Sequence, residues 1–213
     1  MRYAMNVDLT GRSCLVVGGG AVALRKVQTL LRAAADVTVV APSCVDALRR
    51  LALAGEIHLL VRGFAPEDLA GRFLCICATD DAAVNRQAAR IAKARGVLVN
   101  AAAEPQLSDF TVPASLARGR LHLTVSTEGL SPALSRAIRA QLEEIYPESF
   151  GAWLEILAGL REEQKAQLPT PAARTAFWRR ALDADVLALV RAGRLGEAKE
   201  KVSHAAHLSR TQS

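Results

Sequence analysis

Short apolar runs alternate with amphipathic stretches through the first half of the chain. Five runs have the length and the apolar or β-branched content of buried strands, at residues 13–17, 37–40, 57–61, 73–78 and 97–100. Three stretches between them carry apolar side chains at helical spacing, at residues 22–32, 45–54 and 84–94. Strands that alternate with helices predict a parallel sheet covered on both faces. Because such crossovers are right-handed, we expect a doubly wound α/β domain.

The pattern changes after Pro113. Residues 121–125 predict one strand, and a helix follows with Ser131 as its N-cap and Pro132 as its first residue. From Phe150 onward the sequence has the pattern of a helical domain. We therefore divide the chain into a sheet domain of residues 1–113, a segment of residues 114–147 and an all-helical domain of residues 148–213.

A glycine-rich turn joins the first strand to the first helix. Residues 18–23 fit the pattern G-x-G-x-x-A of dinucleotide-binding sites. Gly18 permits the tight turn, and Gly20 has no Cβ to hold a pyrophosphate away from the backbone. The free N–H groups at the start of the helix, at Ala21 and Val22, attract phosphate. The turn thus predicts a Rossmann-like dinucleotide site, and we consider a glycine turn without a ligand less favoured because three glycines cost backbone entropy.

The ribose contact departs from the usual pattern. An acidic residue normally follows the second strand and binds the 2′-hydroxyl, but residues 40–43 are Val-Ala-Pro-Ser. Ser43 can hydrogen-bond the ribose instead. No arginine follows immediately to favour a 2′-phosphate, so we expect NAD rather than NADP as the cofactor.

Five segments occur in consistent order: VVGGGAVALRK at 16–26, VTVVAP at 37–42, ATDDAAVN at 78–85, VNAAAEPQLSDFTVPA at 99–114 and VSTEGLSPALSRAIR at 125–139. Together they resemble the precorrin-2 dehydrogenase family, which also forms the N-terminal part of bifunctional siroheme synthases. The resemblance implies an NAD-binding Rossmann domain, a dimerisation segment at residues 114–147 and a small helical domain. It also implies an intertwined homodimer that oxidises precorrin-2, a polycarboxylate tetrapyrrole, to sirohydrochlorin for siroheme synthesis.

The resemblance assigns roles to polar residues near the strand ends. Thr79 and Asp80 follow the fourth strand and are expected to hydrogen-bond the nicotinamide ribose, whereas Asp81 is equally suited to cap the next helix. The residues expected to contact the tetrapyrrole are Asn100, Ser126, Thr127 and Ser131. Glu128 stands where the family usually has glycine.

One position departs from the family pattern at the proposed reaction centre. The family has an aspartate three residues after Asn100, linked to both dehydrogenation and metal insertion, and this chain has Ala103. Glu104 and Asp109 are the nearby carboxylates, and we expect the proton acceptor among them; water or a substrate carboxylate is the alternative. The change favours a dehydrogenase that leaves iron insertion to a separate chelatase. A bifunctional ferrochelatase and a catalytically silent NAD- or tetrapyrrole-binding protein are the alternatives.

Composition and charge argue against several other classes of protein. The chain is 51% hydrophobic, yet it has no run of the ~20 apolar residues that a membrane helix needs, and we expect no membrane association. Its start has no apolar block behind a basic head, which favours a cytoplasmic protein. The net charge of +6 invites a nucleic-acid interpretation, but the few aromatic residues do not alternate with Arg or Lys as a stacking platform requires. A small polyanionic substrate suits the charge better.

The positions of the cysteine and histidine residues do not indicate a metal site. All four cysteines lie in or beside apolar stretches, as buried reduced thiols do, at Cys14, Cys44, Cys75 and Cys77. His204 and His207 are three residues apart near the C-terminus, without a third ligand nearby in the sequence. We therefore expect a surface pair there and no resident metal.

Overall fold

The computed structural model describes residues 3–168 and 170–210, without the side chains of residues 166, 167 and 206–210. The chain divides into two compact units, Met1–Val112 and Pro113–Ser213. The further division of the second unit at residue 147 stays a prediction. None of the helices in the described ranges combines the length and apolar character that crossing a bilayer requires.

The first unit is a parallel α/β sheet. Its strands are β1 Ser13–Val17, β2 Asp36–Val40, β3 His58–Leu60, β4 Leu74–Cys77 and β5 Leu98–Ala101. Its helices are α1 Ala21–Arg32, α2 Asp46–Leu53 and α3 Ala82–Ala94. The strands pair in parallel in the order β3-β2-β1-β4-β5, so the order reverses between β1 and β4. The predicted doubly wound sheet is confirmed, with strand and helix bounds shifted by a few residues at most.

The sheet is apolar on both faces because helices cover both. Cys14 and Val16 of β1 belong to the core that α1 and α2 cover, whereas Leu15 and Val17 belong to the core on the side of α3. This alternation is the two-residue period of a strand. It also explains why the strands have continuous apolar runs, as buried parallel strands do.

Three of the four cysteines are buried, as expected. Cys75 and Cys77 lie on the same face of β4, with their sulfur atoms 4.0 Å apart in the core. Cys44 differs from the prediction, because it lies in the loop before α2 and is only partly buried. All four are free thiols.

The second unit combines a β-hairpin with helices. The antiparallel strands β6 Ala114–Arg118 and β7 Leu121–Val125 precede the helices α4 Pro132–Ile145, α5 Ser149–Gln167, α6 Pro171–Ala181, α7 Ala184–Arg191 and α8 Leu195–Arg210. The sequence analysis missed β6, in which only Leu116 is buried. The Oγ of Ser131 accepts a hydrogen bond from the N–H of Leu134 at 3.2 Å, which confirms the predicted N-cap of α4. Trp153, Phe177 and Val190 anchor the core of the helices.

Candidate functional site

The glycine turn after β1 is held by two neighbouring loops. Gly18 has a φ of +131°, and a Cβ there would lie 2.3 Å from the carbonyl oxygen of Ala78, which follows β4. A Cβ on Gly19 would lie 2.1 Å from the carbonyl oxygen of Ser43, which follows β2. A Cβ on Gly20 would meet nothing within 4 Å. Packing therefore requires the first two glycines, whereas the third leaves open space beside the backbone.

Helix α1 begins directly after this turn. Gly20 is its N-cap, and no side chain in the described part of the chain caps it. The first intrahelical bond runs from the N–H of Leu24 to the carbonyl oxygen of Gly20, at 3.0 Å. The earlier N–H groups, at Ala21, Val22 and Ala23, have no partner within the helix. An exposed helix start with free donors and a positive dipole end fits a pyrophosphate group.

A pocket of about 450 Å³ lies between α1 and the carboxyl ends of β4 and β5. This volume falls within the range of small-molecule sites. Four of the residues predicted to bind the cofactor or the substrate line it together: Val22, Thr79, Asp80 and Asn100. It lies at the edge of the sheet where ligands of doubly wound folds bind, and where the strand order reverses.

Asn85 holds the loop after β4 in position. The residue is 3% exposed, and its side chain accepts from the N–H of Thr79 at 3.2 Å and donates to the carbonyl oxygen of Thr79 at 2.8 Å. The Oγ1 of Thr79 accepts from the N–H of Asp81 at 2.9 Å. Asp81 in turn caps α3 by accepting from the N–H groups of Ala83 and Val84. The loop is thus rigid and leaves the exposed Asp80 at the pocket. The sequence analysis missed Asn85, whose signal is a polar residue on the buried face of a helix.

Asn100 carries an unpaired acceptor in the pocket wall. The residue is 7% exposed, and its Nδ2 donates to the carbonyl oxygen of Phe110 at 2.9 Å. Its Oδ1 is buried and finds no donor among the described residues. Leaving such an acceptor unpaired costs about 1–3 kcal/mol. A ligand that donates an N–H at this point would remove that cost.

The two carboxylates expected to accept the proton do not line the pocket. The Oε1 of Glu104 lies 3.1 Å from Nη1 of Arg86 on α3. The Oδ2 of Asp109 accepts from the backbone N–H of Val99 at 3.0 Å, and its Oδ1 lies 3.4 Å from Nζ of Lys93. Both acids are thus engaged in holding the loop after β5 to its neighbours. Ala103, at the position of the family aspartate, does line the pocket.

Two cations that the sequence analysis did not single out line the pocket: Arg25 and Lys26 of α1. Lys26 is partly buried, and burial, followed by the charge of Arg25, lowers the pKa of its ammonium group. Within the described residues, no carboxylate forms an ion pair with either side chain. The sequence signal for these cations was their helical spacing: Arg25 and Lys26 follow Val22 by three and four residues, which places them on the same face of α1 as Val22.

The predicted tetrapyrrole contacts of the second unit lie in the loop before α4. The Oγ1 of Thr127 accepts from the N–H of Ser131 at 3.1 Å and lies 3.2 Å from the Oγ of Ser135. The Oγ of Ser126 accepts from the N–H of Glu128 at 3.2 Å. Glu128 has a φ of +53°, in the left-handed region that favours glycine, which is the residue that the family usually has there. The hydroxyl groups thus shape this loop. The side chain of His207, named above with His204, lies outside the described residues.

Comparisons with known proteins agree with this geometry. Residues 5–114 match a family model described as "Putative NAD(P)-binding", and residues 149–205 match one described as "Sirohaem synthase dimerisation region". A solved structure of SirC, precorrin-2 dehydrogenase, has a TM-score of 0.77 and 29% identity, over 95% of this chain and 100% of that one. These matches confirm the resemblance found in the sequence, the Rossmann-like fold and a nicotinamide dinucleotide, NAD, as the cofactor.

Curated relatives include two bacterial siroheme synthases. That of Thioalkalivibrio sulfidiphilus is 39% identical over 95% of this chain and 42% of its own length. That of Methylococcus capsulatus is 40% identical over 93% of this chain and 42% of its own length. The chain therefore spans about two fifths of the length of these relatives.

Proposed function

The chain belongs to the NAD(P)-binding family whose model its residues 5–114 match, and we propose that it oxidises precorrin-2 to sirohydrochlorin with NAD⁺. The observation that carries the proposal is the open, uncapped glycine turn beside a pocket with an unpaired buried acceptor. The relatives named siroheme synthase and precorrin-2 dehydrogenase support the choice of substrate.

The residues of the turn would hold the dinucleotide. Open space at Gly20 and the free N–H groups of Ala21 and Val22 suit its pyrophosphate. Gly18 shapes the turn, and the exposed Ser43 follows β2, where the ribose contact is expected. Thr79 and Asp80 would bind the second ribose from the rigid loop after β4. When bound, the nicotinamide ring supplies the hydride acceptor.

The pocket would position the substrate carbon that loses the hydride. Asn100 would accept a hydrogen bond from an N–H group of the macrocycle after a rotation of its side chain brought the buried, unpaired Oδ1 to the pocket. In the second unit, Ser126, Thr127 and Ser131 would form a preshaped loop for the substrate's carboxylate arms. Binding that fixes the reacting bond is expected to dominate, as it does where a cofactor carries the chemistry.

Loss of the proton needs an acceptor. Glu104 would serve only after its side chain turned away from Arg86, although its neighbours Ala103 and Pro105 line the pocket. Asp109 would serve only if it released the N–H of Val99. A substrate carboxylate or water needs neither change, and this favours it as the acceptor. The alanine at position 103 supports a dehydrogenase that leaves iron insertion to a separate chelatase.

The active form would be a cytoplasmic homodimer. The match of residues 149–205 to a dimerisation region supports self-association. The hairpin β6–β7 is a two-stranded sheet, and a second copy would extend it by pairing along an outer strand edge. The exposed Leu130 and Leu134 near the start of α4 add apolar surface for such a contact.

The test is an activity assay with the purified chain. Precorrin-2 and NAD⁺ should give NADH and sirohydrochlorin in equal amounts, whereas sirohydrochlorin and Fe²⁺ should give siroheme no faster than without protein. Tetrapyrrole binding without NADH formation would favour the silent binding protein. Accelerated iron insertion would favour the bifunctional enzyme.

A further inference from the structure

We propose that Arg25 and Lys26 form a subsite that binds one carboxylate arm of the tetrapyrrole. This inference rests on the proposed function, because the polycarboxylate substrate supplies the anion. It concerns two side chains that belong to neither the glycine turn nor the loop after β4.

The charges that line the pocket favour an anion. Its charged lining residues are the cations Arg25 and Lys26 and the single carboxylate of Asp80, which is exposed to solvent. Lys26 is partly buried on the second turn of α1, next in sequence to another cation. Arg25 itself is exposed. The two neighbouring like charges repel each other, and an anionic ligand relieves the repulsion and offsets the partial loss of hydration at Lys26.

The position of the pair separates it from the cofactor's phosphates. Gly18 and Gly20 do not line this pocket, whereas Asn100 and Ala103 at the end of β5 do. The pocket therefore reaches the first turn of α1 at Val22, beside the expected pyrophosphate, and extends from there toward the end of β5. The start of α1 already supplies donors for phosphate, which leaves the cations available for a second anion.

Asn100 adds a hydrogen-bond acceptor to the two cations. Its Oδ1 is buried and lacks a donor within the described residues, and Asn100 lines the same pocket as the two cations. A precorrin macrocycle carries ring N–H groups beside acidic arms. One ligand of this class can therefore satisfy the acceptor and the cations together, which neither a simple anion nor a neutral amide does.

The experiment compares Lys26→Met and Arg25→Gln with a charge-removing control, Arg90→Gln. Arg90 is exposed on α3 and does not line the pocket. Losing a charge-assisted contact should raise the KM for precorrin-2 about 10- to 100-fold, with little change in the KM for NAD⁺. Lys26→Arg keeps the charge and should recover most of the affinity. The control should behave as wild type.

Two binding titrations on the same proteins separate the outcomes. Sirohydrochlorin should bind the variants about 10- to 100-fold more weakly, and NAD⁺ should bind as it does to wild type. An equal loss of NAD⁺ affinity would mean that the cations bind the cofactor, and the subsite would be refuted. The subsite would also be refuted if wild type turned over precorrin-2 and the variants kept its KM for precorrin-2 and its affinity for sirohydrochlorin. A wild type that neither binds nor oxidises the tetrapyrrole would refute the proposed function and the subsite with it. Thermal melts confirm that each variant is folded.

Discussion

The same substitution at two adjacent glycines should have opposite consequences. Gly19→Ala places a Cβ 2.1 Å from the carbonyl oxygen of Ser43, whereas Gly20→Ala places one with no atom within 4 Å. The first change should therefore damage folding and the second should damage only cofactor binding. The pair tests whether the dinucleotide lies over the turn.

The stability effect at Gly19 follows from the contact distance. Carbon and carbonyl oxygen ordinarily approach to about 3.3 Å, so the loop at Ser43 must move by about 1.2 Å. The obstacle is backbone, and the loop is tied to the turn by the bond from the N–H of Val45 to the carbonyl oxygen of Gly19, at 2.9 Å. Overpacking of this kind costs about 3 kcal/mol. For a chain of this size the melting temperature should fall by roughly 6–12 °C.

At Gly20 the substitution should change stability little and NAD⁺ affinity strongly. Its φ of −83° and ψ of −173° suit alanine, and the gain from a stiffer unfolded chain, about 0.4–1 kcal/mol, offsets the loss of a good N-cap residue. Stability should therefore stay within about 1 kcal/mol of wild type. The new Cβ occupies the space through which phosphate reaches the free N–H groups. Weakening one charge-assisted hydrogen bond corresponds to roughly a 10- to 100-fold loss of NAD⁺ affinity.

Calorimetric titration with NAD⁺ and urea unfolding followed by circular dichroism measure both quantities on both variants. Wild-type NAD⁺ affinity in a folded Gly20→Ala variant would refute a cofactor over the turn. Equal unfolding midpoints for Gly19→Ala and Gly20→Ala would refute the close approach of the Ser43 loop.

Three further predictions follow from single residues. Ala34, which follows the C-cap of α1, has a φ of +56°, so Ala34→Gly should relieve strain and raise the free energy of unfolding by about 0.5–1 kcal/mol in urea titrations; a lower midpoint would contradict it. The hydrogen bond from Arg62 lowers the pKa of Asp68 below its ordinary 3.8, so this pair stabilises the fold above that pH and the contribution is lost as the pH falls through the lowered pKa. Asp68→Asn should therefore be less stable at neutral pH but less acid-sensitive, as unfolding curves at several pH values would show. Burial raises the pKa of Cys14 to about 11, so maleimide at pH 8 should label Cys44 first, and Cys44→Ser should remove the fast phase.

Local patterns were sufficient for the sheet and the turn. A buried parallel strand is a continuous apolar run, and β1 to β5 each contain one between helical stretches. The spacing of Gly18 and Gly20 before a helix marks a phosphate-binding turn in the sequence itself. Strand β6 was missed because its residues are Ala-Ser-Leu-Ala-Arg: Leu116 is the single large apolar side chain, so the residue types show no clear alternation.

The roles of the charged side chains depended on contacts between segments distant in sequence. Glu104 and Asp109 were the candidate acids in the sequence, and only the fold brought them to Arg86 and Lys93 on α3 instead of the pocket.

The sequence by itself determined which segments form strands and helices along the chain and where the dinucleotide turn lies. Each of these features depends on residues that are close together in the sequence. Only the tertiary structure decided that Gly19 must lack a side chain, that Lys26 lines the pocket and that the Oδ1 of Asn100 is unpaired. Each of these depends on which distant backbone, helix or strand end approaches the residue, and the local pattern of side chains does not encode that approach.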